Sequence, residues 1–169
     1  MELIEKLQEL DCSTIKRFSF DGIDTYARVI KVCDTDTLTI IFEMNDEMIK
    51  INVRLAGIDA PELHSQIESE RELCISGMEC LNSMIGDQVV RVELQNMDKY
   101  GRTLANVYTL DEININEYLL EQKYVRAYSG GAKQTWTAEE LLPVESNISE
   151  EQVNIKPVRQ KKQYRRVNV

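Results

Sequence analysis

The chain has 169 residues, 43% hydrophobic and 29% charged, which suits one soluble globular domain with appendages and enough apolar matter for a proper core. No run approaches the ~18 apolar residues of a membrane helix, and the acidic, amphipathic start MELIEKLQELDC is unlike a signal peptide, so an intracellular setting is expected. A formal charge of −9 argues against a general nucleic-acid binder with a broad basic face. The charge is unevenly placed: residues 156–169 hold six Lys/Arg and no acids, which leaves 14 Lys/Arg against 29 Asp/Glu, or −15, in residues 1–155. Acidic groups gathered around a site would suit a divalent cation, with any phosphate contacts left to a few placed arginines. Four cysteines, none in a CxxC pair, and a single histidine suggest neither a zinc site nor a redox motif, only reduced thiols.

In chain order, Leu3, Ile4, Leu7 and Leu10 fall at helical spacing and predict a short amphipathic helix that packs on the main fold. Residues 25–55 read as three strands, TYARVIKV, DTLTIIFEM and EMIKINVRL, the last two joined by a turn at Asn45-Asp46. In the third, Ile49, Ile51, Val53 and Leu55 share one face, so Arg54 points away from the core. Residues 66–85 carry Ile67, Cys74, Met78, Leu81 and Ile85 on a helical stripe with acids outside, slightly weakened by Gly77, and Gly86-Asp87 ends the segment. Two more strands, DQVVRVELQN and TLANVYTL, flank the loop MDKYGR, and Asn114 or Asn116 can cap a further helix. Beyond Tyr128 the pattern thins: TAEELL suits one helical turn, and residues 145–169 hold too few apolar groups to build structure. Five short strands with these helices predict a mainly β, α+β fold, a five-stranded Greek-key barrel of the OB type. The expected division is a lead-in over residues 1–24, the barrel domain over 25–143 and a flexible basic tail over 144–169.

Three segments place polar residues at strand ends, where a β core has no use for them. They are Asp34-Thr35-Asp36-Thr37, the stretch from Arg54 through Ala60 to Glu62, and Asp98-Lys99-Tyr100-Gly101-Arg102. Phosphodiester hydrolysis requires charge neutralised on the phosphate, a water activated, and both held in line. Arg54 and Arg102 can clamp a phosphate with their planar forks. Asp36 and Asp59 are hard oxygen ligands suited to Ca²⁺ or Mg²⁺, and Glu62 can serve as general base. Each group has a bland alternative, as a turn former, a solvated strand arginine or a surface acid.

The ordered strings VCDTDTLTI, VRLAGIDAPE and MDKYGRTLANVY, followed by NINEYLLEQKYVRAY, resemble the motif series of the thermonuclease (staphylococcal nuclease-like) family over about residues 25–128. The resemblance implies a five-stranded OB barrel and Ca²⁺ held by Asp36, Asp59 and the main-chain carbonyl of Ala60, with Mg²⁺ the lesser candidate. It implies Glu62 as water-orienting base, Arg54 and Arg102 on the phosphate, and cleavage of the bond to the 5′ oxygen of single-stranded or loosened DNA or RNA, leaving 3′-phosphate ends. Thr35 and Lys123 stand where the family commonly has glycine, the second at a cost of ~1 kcal/mol if its backbone is left-handed. Lys99 and Tyr128 are further substrate-binding candidates, Tyr128 by stacking on a base or ribose. His64 reads as a bystander and Trp136 as an anchor for the C-terminal segment. The rival reading is a catalytically silent nuclease-like module that binds nucleic acid or protein.

Overall fold

The two-residue turn between β2 (Thr37–Met44) and β3 (Glu47–Leu55) has Asn45 and Asp46 both at positive φ, 53° and 64°, the geometry of the tight hairpin whose twist matches its strands. β1 (Asp24–Asp34) joins β2 just as closely: Asp34 pairs with Thr37, which makes Thr35 and Asp36 the two turn residues. These elements come from a computed structural model that describes residues 2–132 and 134–141. After β3 the chain forms a two-residue strand, β4 (Ile58–Asp59), then α2 (Glu68–Ile85), β5 (Val89–Met97), β6 (Thr103–Tyr108), α3 (Ile115–Glu121) and a second two-residue strand, β7 (Arg126–Ala127).

Five strands close into a barrel in the order β1-β2-β3-β6-β5. Every neighbouring pair is antiparallel except β3 and β6, which run parallel with Arg54 opposite Leu104. A parallel pair needs a long crossover, and α2 with β5 supplies it. This is the predicted OB-type α+β fold. Alternate residues of the strands fill the interior, among them Val29, Leu38, Ile40, Val53, Val92 and Val107, and Leu81, Ile85, Ile115 and Leu119 of the two helices close the same core.

Three expectations change on contact with this packing. The amphipathic helix α1 (Glu2–Gln8) forms but buries no residue; Leu3, Ile4 and Leu7 stay exposed, because α2 and α3 already close the barrel core. In α2, Ile67 is an exposed N-cap and Met78 is only half-buried, whereas Glu70, Leu73 and Gly77 join Cys74, Leu81 and Ile85 on the buried face. Gly77 is therefore a contact, not a weakness. A Cβ at that position would meet Thr35 Cγ2 at 2.4 Å, so the helix seats itself on the buried turn residue. The Thr35 hydroxyl donates to the Cys74 carbonyl at 2.9 Å and completes the joint. Gly77→Ala is expected to destabilise the fold by about 1–3 kcal/mol through overpacking, read from urea melts. Thr35→Ser, which deletes Cγ2, should recover part of that loss in the double mutant.

The end of α3 settles the backbone at Lys123. Its N–H donates to the Leu120 carbonyl and that of Tyr124 to the Leu119 carbonyl, both at 3.0 Å, the paired bonds of a left-handed helix stop, and its φ is 60°. Lys123→Gly is expected to gain about 0.5–1 kcal/mol, the left-handed penalty less the extra freedom of glycine in the unfolded chain. A melting temperature no higher than wild type would contradict that balance. Trp136 is buried against Leu73 and Leu141, and Thr137 and Glu140 cap a helical turn over residues 137–141. The tail expected over residues 144–169 lies outside the described residues. Among the described residues no helix is long and apolar enough to cross a membrane.

Candidate active site

The β1–β2 turn, the end of β3 and the short β4 strand meet at one end of the barrel. The Leu55 N–H donates to the Asp36 carbonyl at 2.8 Å, which ties the turn to β3. Asn116, at the start of α3, accepts from the Val107 N–H and donates to the carbonyls of Ala105 and Ala56, so one buried amide joins α3, β6 and the turn that follows β3. Gly57 has a φ of 76° in that turn, and its carbonyl accepts from the Tyr128 N–H at 2.8 Å. β4 then pairs antiparallel with β7, setting Asp59 directly opposite Arg126.

Arg54 does point away from the apolar core, but not into solvent. Its side chain is 11% exposed, and Nη2 lies 2.7 Å from Asp36 Oδ2 and 3.8 Å from Asp59 Oδ1. Two buried carboxylates thus face one guanidinium nitrogen. The reason is local: beyond Val53 the strand runs under the β1–β2 turn and β4, so both of its faces are covered. Burial pushes the Asp36 carboxyl above its ordinary range, against the lowering by Arg54 and by the Thr37 hydroxyl bonded to Oδ1 at 2.7 Å. The ring of Tyr128 lies 5.8 Å from the Arg54 guanidinium carbon, which brings that candidate into the cluster.

Arg102 approaches from the β5–β6 turn. Asp98 shapes this turn: Oδ1 accepts from the N–H groups of Tyr100 and Arg102, and Oδ2 accepts from Arg102 Nε at 2.8 Å. Arg102 lies two residues before Leu104, the partner of Arg54, so the period-two pleat sends both arginines to the same side of the sheet. Its charge is felt at Asp36, where it favours the ionised form. Lys99 sits instead over the exposed ring of Tyr100, at 4.9 Å, out on the turn.

Glu62 is exposed on the loop between β4 and α2. That loop is held by Glu70, whose carboxylate accepts from the Glu62 N–H at 2.9 Å and from the Ser65 hydroxyl at 2.6 Å. Arg71 adds a bond to the Ser65 carbonyl. Glu70 was expected on the outer face with the other acids of α2; it is buried because the loop folds back over the first turn and offers it two donors. Asp34 is a turn former, accepting from the Thr35 N–H and the Cys74 thiol. Burial holds that thiol up, to about 12, so it is inert at neutral pH. His64 is exposed.

The charged residue that sequence reasoning missed is Arg126. Its Nε and Nη2 lie 3.1 and 2.8 Å from Asp59 Oδ2, and its guanidinium carbon stacks 4.4 Å from the Trp136 ring centroid. No local pattern marks it, since its partner is 67 residues away and the strand that aligns them is two residues long.

Among the described residues no three His, Cys, Asp or Glu side chains converge on one point. The donor set for a cation is the pair Asp36 and Asp59, with Arg54 already between them as a cationic stand-in. Two hard oxygen groups facing one point suit Ca²⁺, whose remaining ligands come from carbonyls, water or phosphate.

Residues 52–156 match the family described as staphylococcal nuclease homologue, a span that includes Arg54, Asp59, Glu62, Arg102 and Tyr128 and begins after Asp36. The chain is 29% identical over 129 residues to an uncharacterized endonuclease of Escherichia coli O157:H7, covering 76% of this chain and 74% of that protein. It is 38% identical over 101 residues to an uncharacterized endonuclease of Haemophilus influenzae, covering 60% and 51%. It is also 30% identical over 120 residues to a micrococcal nuclease of Shigella flexneri, covering 66% and 63%. With a barrel of the expected topology and a family match over more than half its length, the chain belongs to the family of staphylococcal nuclease homologues.

Proposed function

We propose that this chain is a Ca²⁺-dependent nuclease that hydrolyses phosphodiester bonds of single-stranded or loosened DNA or RNA at the bond to the 5′ oxygen, leaving 3′-phosphate ends. The coarse part, a hydrolase acting on nucleic acid, rests on family membership and on relatives named as nucleases. The finer part rests chiefly on one observation: two buried carboxylates, Asp36 and Asp59, facing a single nitrogen of Arg54. In this reading Asp36, Asp59 and the Ala60 carbonyl would hold the ion, which would supply Lewis-acid polarisation of a phosphate oxygen and a template for water. Glu62, exposed on its tethered loop, orients a water and takes its proton as the oxygen attacks phosphorus. Arg102 keeps Nε on Asp98 and turns its other nitrogens to the phosphate, and Arg54, on the same side of the sheet, completes the clamp. Tyr128 beside Arg54 offers a ring for a base or ribose, and Lys99 a charge at the rim.

The test is cleavage of labelled single-stranded DNA and RNA by the full chain in Ca²⁺, Mg²⁺ or EDTA. Cutting in Ca²⁺ alone, with 3′-phosphate ends, is the expected pattern; intact strands in every lane from folded protein would leave the silent binding module. Asp36→Asn adds a second arm. A buried carboxyl with a raised pKa favours the fold while protonated, and that contribution is lost as pH rises from the ordinary value of 3.8 through the raised one. The neutral amide should therefore melt above wild type at pH 7 in EDTA. Its cleavage in Ca²⁺ should fall by roughly 10²-fold or more, the scale of losing one placed electrostatic group.

A further inference from the structure

We propose that Arg126 is a positioning residue for Asp59, fixing which carboxylate oxygen that side chain turns toward the ion site; this rests on the reading that Asp36 and Asp59 hold Ca²⁺. Three placements of Arg126 can be distinguished: a third phosphate clamp, an anchor for the C-terminal segment alone, or a guide for Asp59. The hydrogen bonds decide against the first. Nε donates to Asp59 Oδ2, Nη2 to Asp59 Oδ2 and to the Gln134 carbonyl, and Nη1 to the Thr135 carbonyl. Every nitrogen of the fork is engaged within the protein, and the Trp136 ring covers one face. Such a group does not turn outward to a phosphate.

The geometry at Asp59 carries the positive argument. Arg126 meets Oδ2 side-on with two nitrogens, while Oδ1 lies on the side of Arg54 and Asp36. A carboxylate gripped at one oxygen cannot rotate about its last bond, so the other oxygen keeps its direction. The β4–β7 pairing holds the two backbones opposite each other, and the carbonyls of Gln134 and Thr135 hold the guanidinium from behind. These carbonyls steady the guanidinium, but the grip on Asp59 itself comes from Nε and Nη2 of a residue held in β7.

Electrostatics and positioning predict opposite signs, which makes the proposal testable. A cation beside a cation site weakens ion binding, so if only charge mattered, Arg126→Gln would bind Ca²⁺ more tightly. Positioning predicts the reverse: groups that orient a metal ligand typically cost 10–100-fold in affinity when removed. The experiment is calorimetric titration of the full chain with Ca²⁺ alone for wild type, Arg126→Gln, Arg126→Lys and Leu141→Ala, each checked for fold by circular dichroism. Leu141→Ala loosens the C-terminal segment without touching the guanidinium.

Expected are a Kd raised about 10–100-fold in Arg126→Gln, and a rise of the same order in Arg126→Lys, which keeps the charge but loses the two-nitrogen grip. Leu141→Ala should melt lower yet bind Ca²⁺ as wild type does. Equal or tighter binding by both Arg126 variants overturns the proposal, and so does a loss in Leu141→Ala as large as that in Arg126→Gln. If wild type itself takes up no Ca²⁺, the underlying reading of Asp36 and Asp59 falls, and the positioning role falls with it. Should Arg126→Gln fail to fold, Arg126→Lys decides alone.

Discussion

Glu62→Gln is expected to lower kcat by about 10²–10⁴-fold, the range for removing a general base, while leaving the melting temperature close to that of wild type. The amide keeps the size and the hydrogen-bonding reach of the side chain but cannot accept a proton from water at neutral pH. The stability expectation follows from placement: the side chain is exposed, and the loop is tethered through the Glu62 backbone N–H to Glu70, which the substitution does not touch. Surface changes of this kind usually stay within about 0.5 kcal/mol. Single-turnover cleavage at saturating Ca²⁺ separates the chemical step from ion binding. An unchanged rate there would move the base elsewhere, and retained binding of substrate with lost turnover would fix it at Glu62.

Arg102→Lys should cost about 10²–10³-fold in kcat/KM, comparable with losing one preorganised donor to a developing anion. The two cations carry the same charge, so the size of the effect measures geometry. Arg102 gives Nε to Asp98 and still has two nitrogens in the same plane to direct at a phosphate. A lysine has one nitrogen for both tasks, and bonding to Asp98 would hold it back from the substrate. Substrate affinity at low salt should change far less than turnover, because a point charge still attracts the polyanion. If turnover survives the substitution, the clamp role belongs to Arg54 alone. Arg54 itself is a poor probe, since its removal takes the ion-pair partner from the buried Asp36 at a cost of about 3–5 kcal/mol.

How much of this could be read from the chain varies with distance along it. The barrel strands were legible because period-two alternation and turn residues are local signals: Asn45-Asp46 falls where the chain turns, both residues at positive φ. Asp36, Arg54, Asp59 and Tyr128 could be named together because their motifs are short and ordered, and the fold brings these four into one cluster. Periodicity failed where packing is set by a partner. The stripe of α2 reads correctly at Cys74, Leu81 and Ile85 but wrongly at Ile67 and Met78, and it misses Glu70 and Gly77, which are seated by a loop N–H and by the Thr35 methyl. Arg126 was hidden for the same reason, its meaning lying wholly in a pairing across 67 residues. The close fit of Thr35 against Gly77 is likewise a long-range contact that a single sequence does not display.

The parallel pairing of β3 with β6 and the short β4–β7 pair have a bearing on when activity can first arise. Asp36, Arg54, Asp59 and Glu62 all precede residue 63, yet Arg102 arrives with the β5–β6 turn and Arg126 only with β7, near the end of the described chain. Contacts of such separation form late, after the loops between them have closed. A chain clipped before β7 carries the acids of the site with Arg54 but without Arg126, and one still emerging from the ribosome lacks Arg102 as well. Asp59 then has no arginine set opposite it on β7. On the proposed reading, competence to cut is thereby tied to completion of the fold.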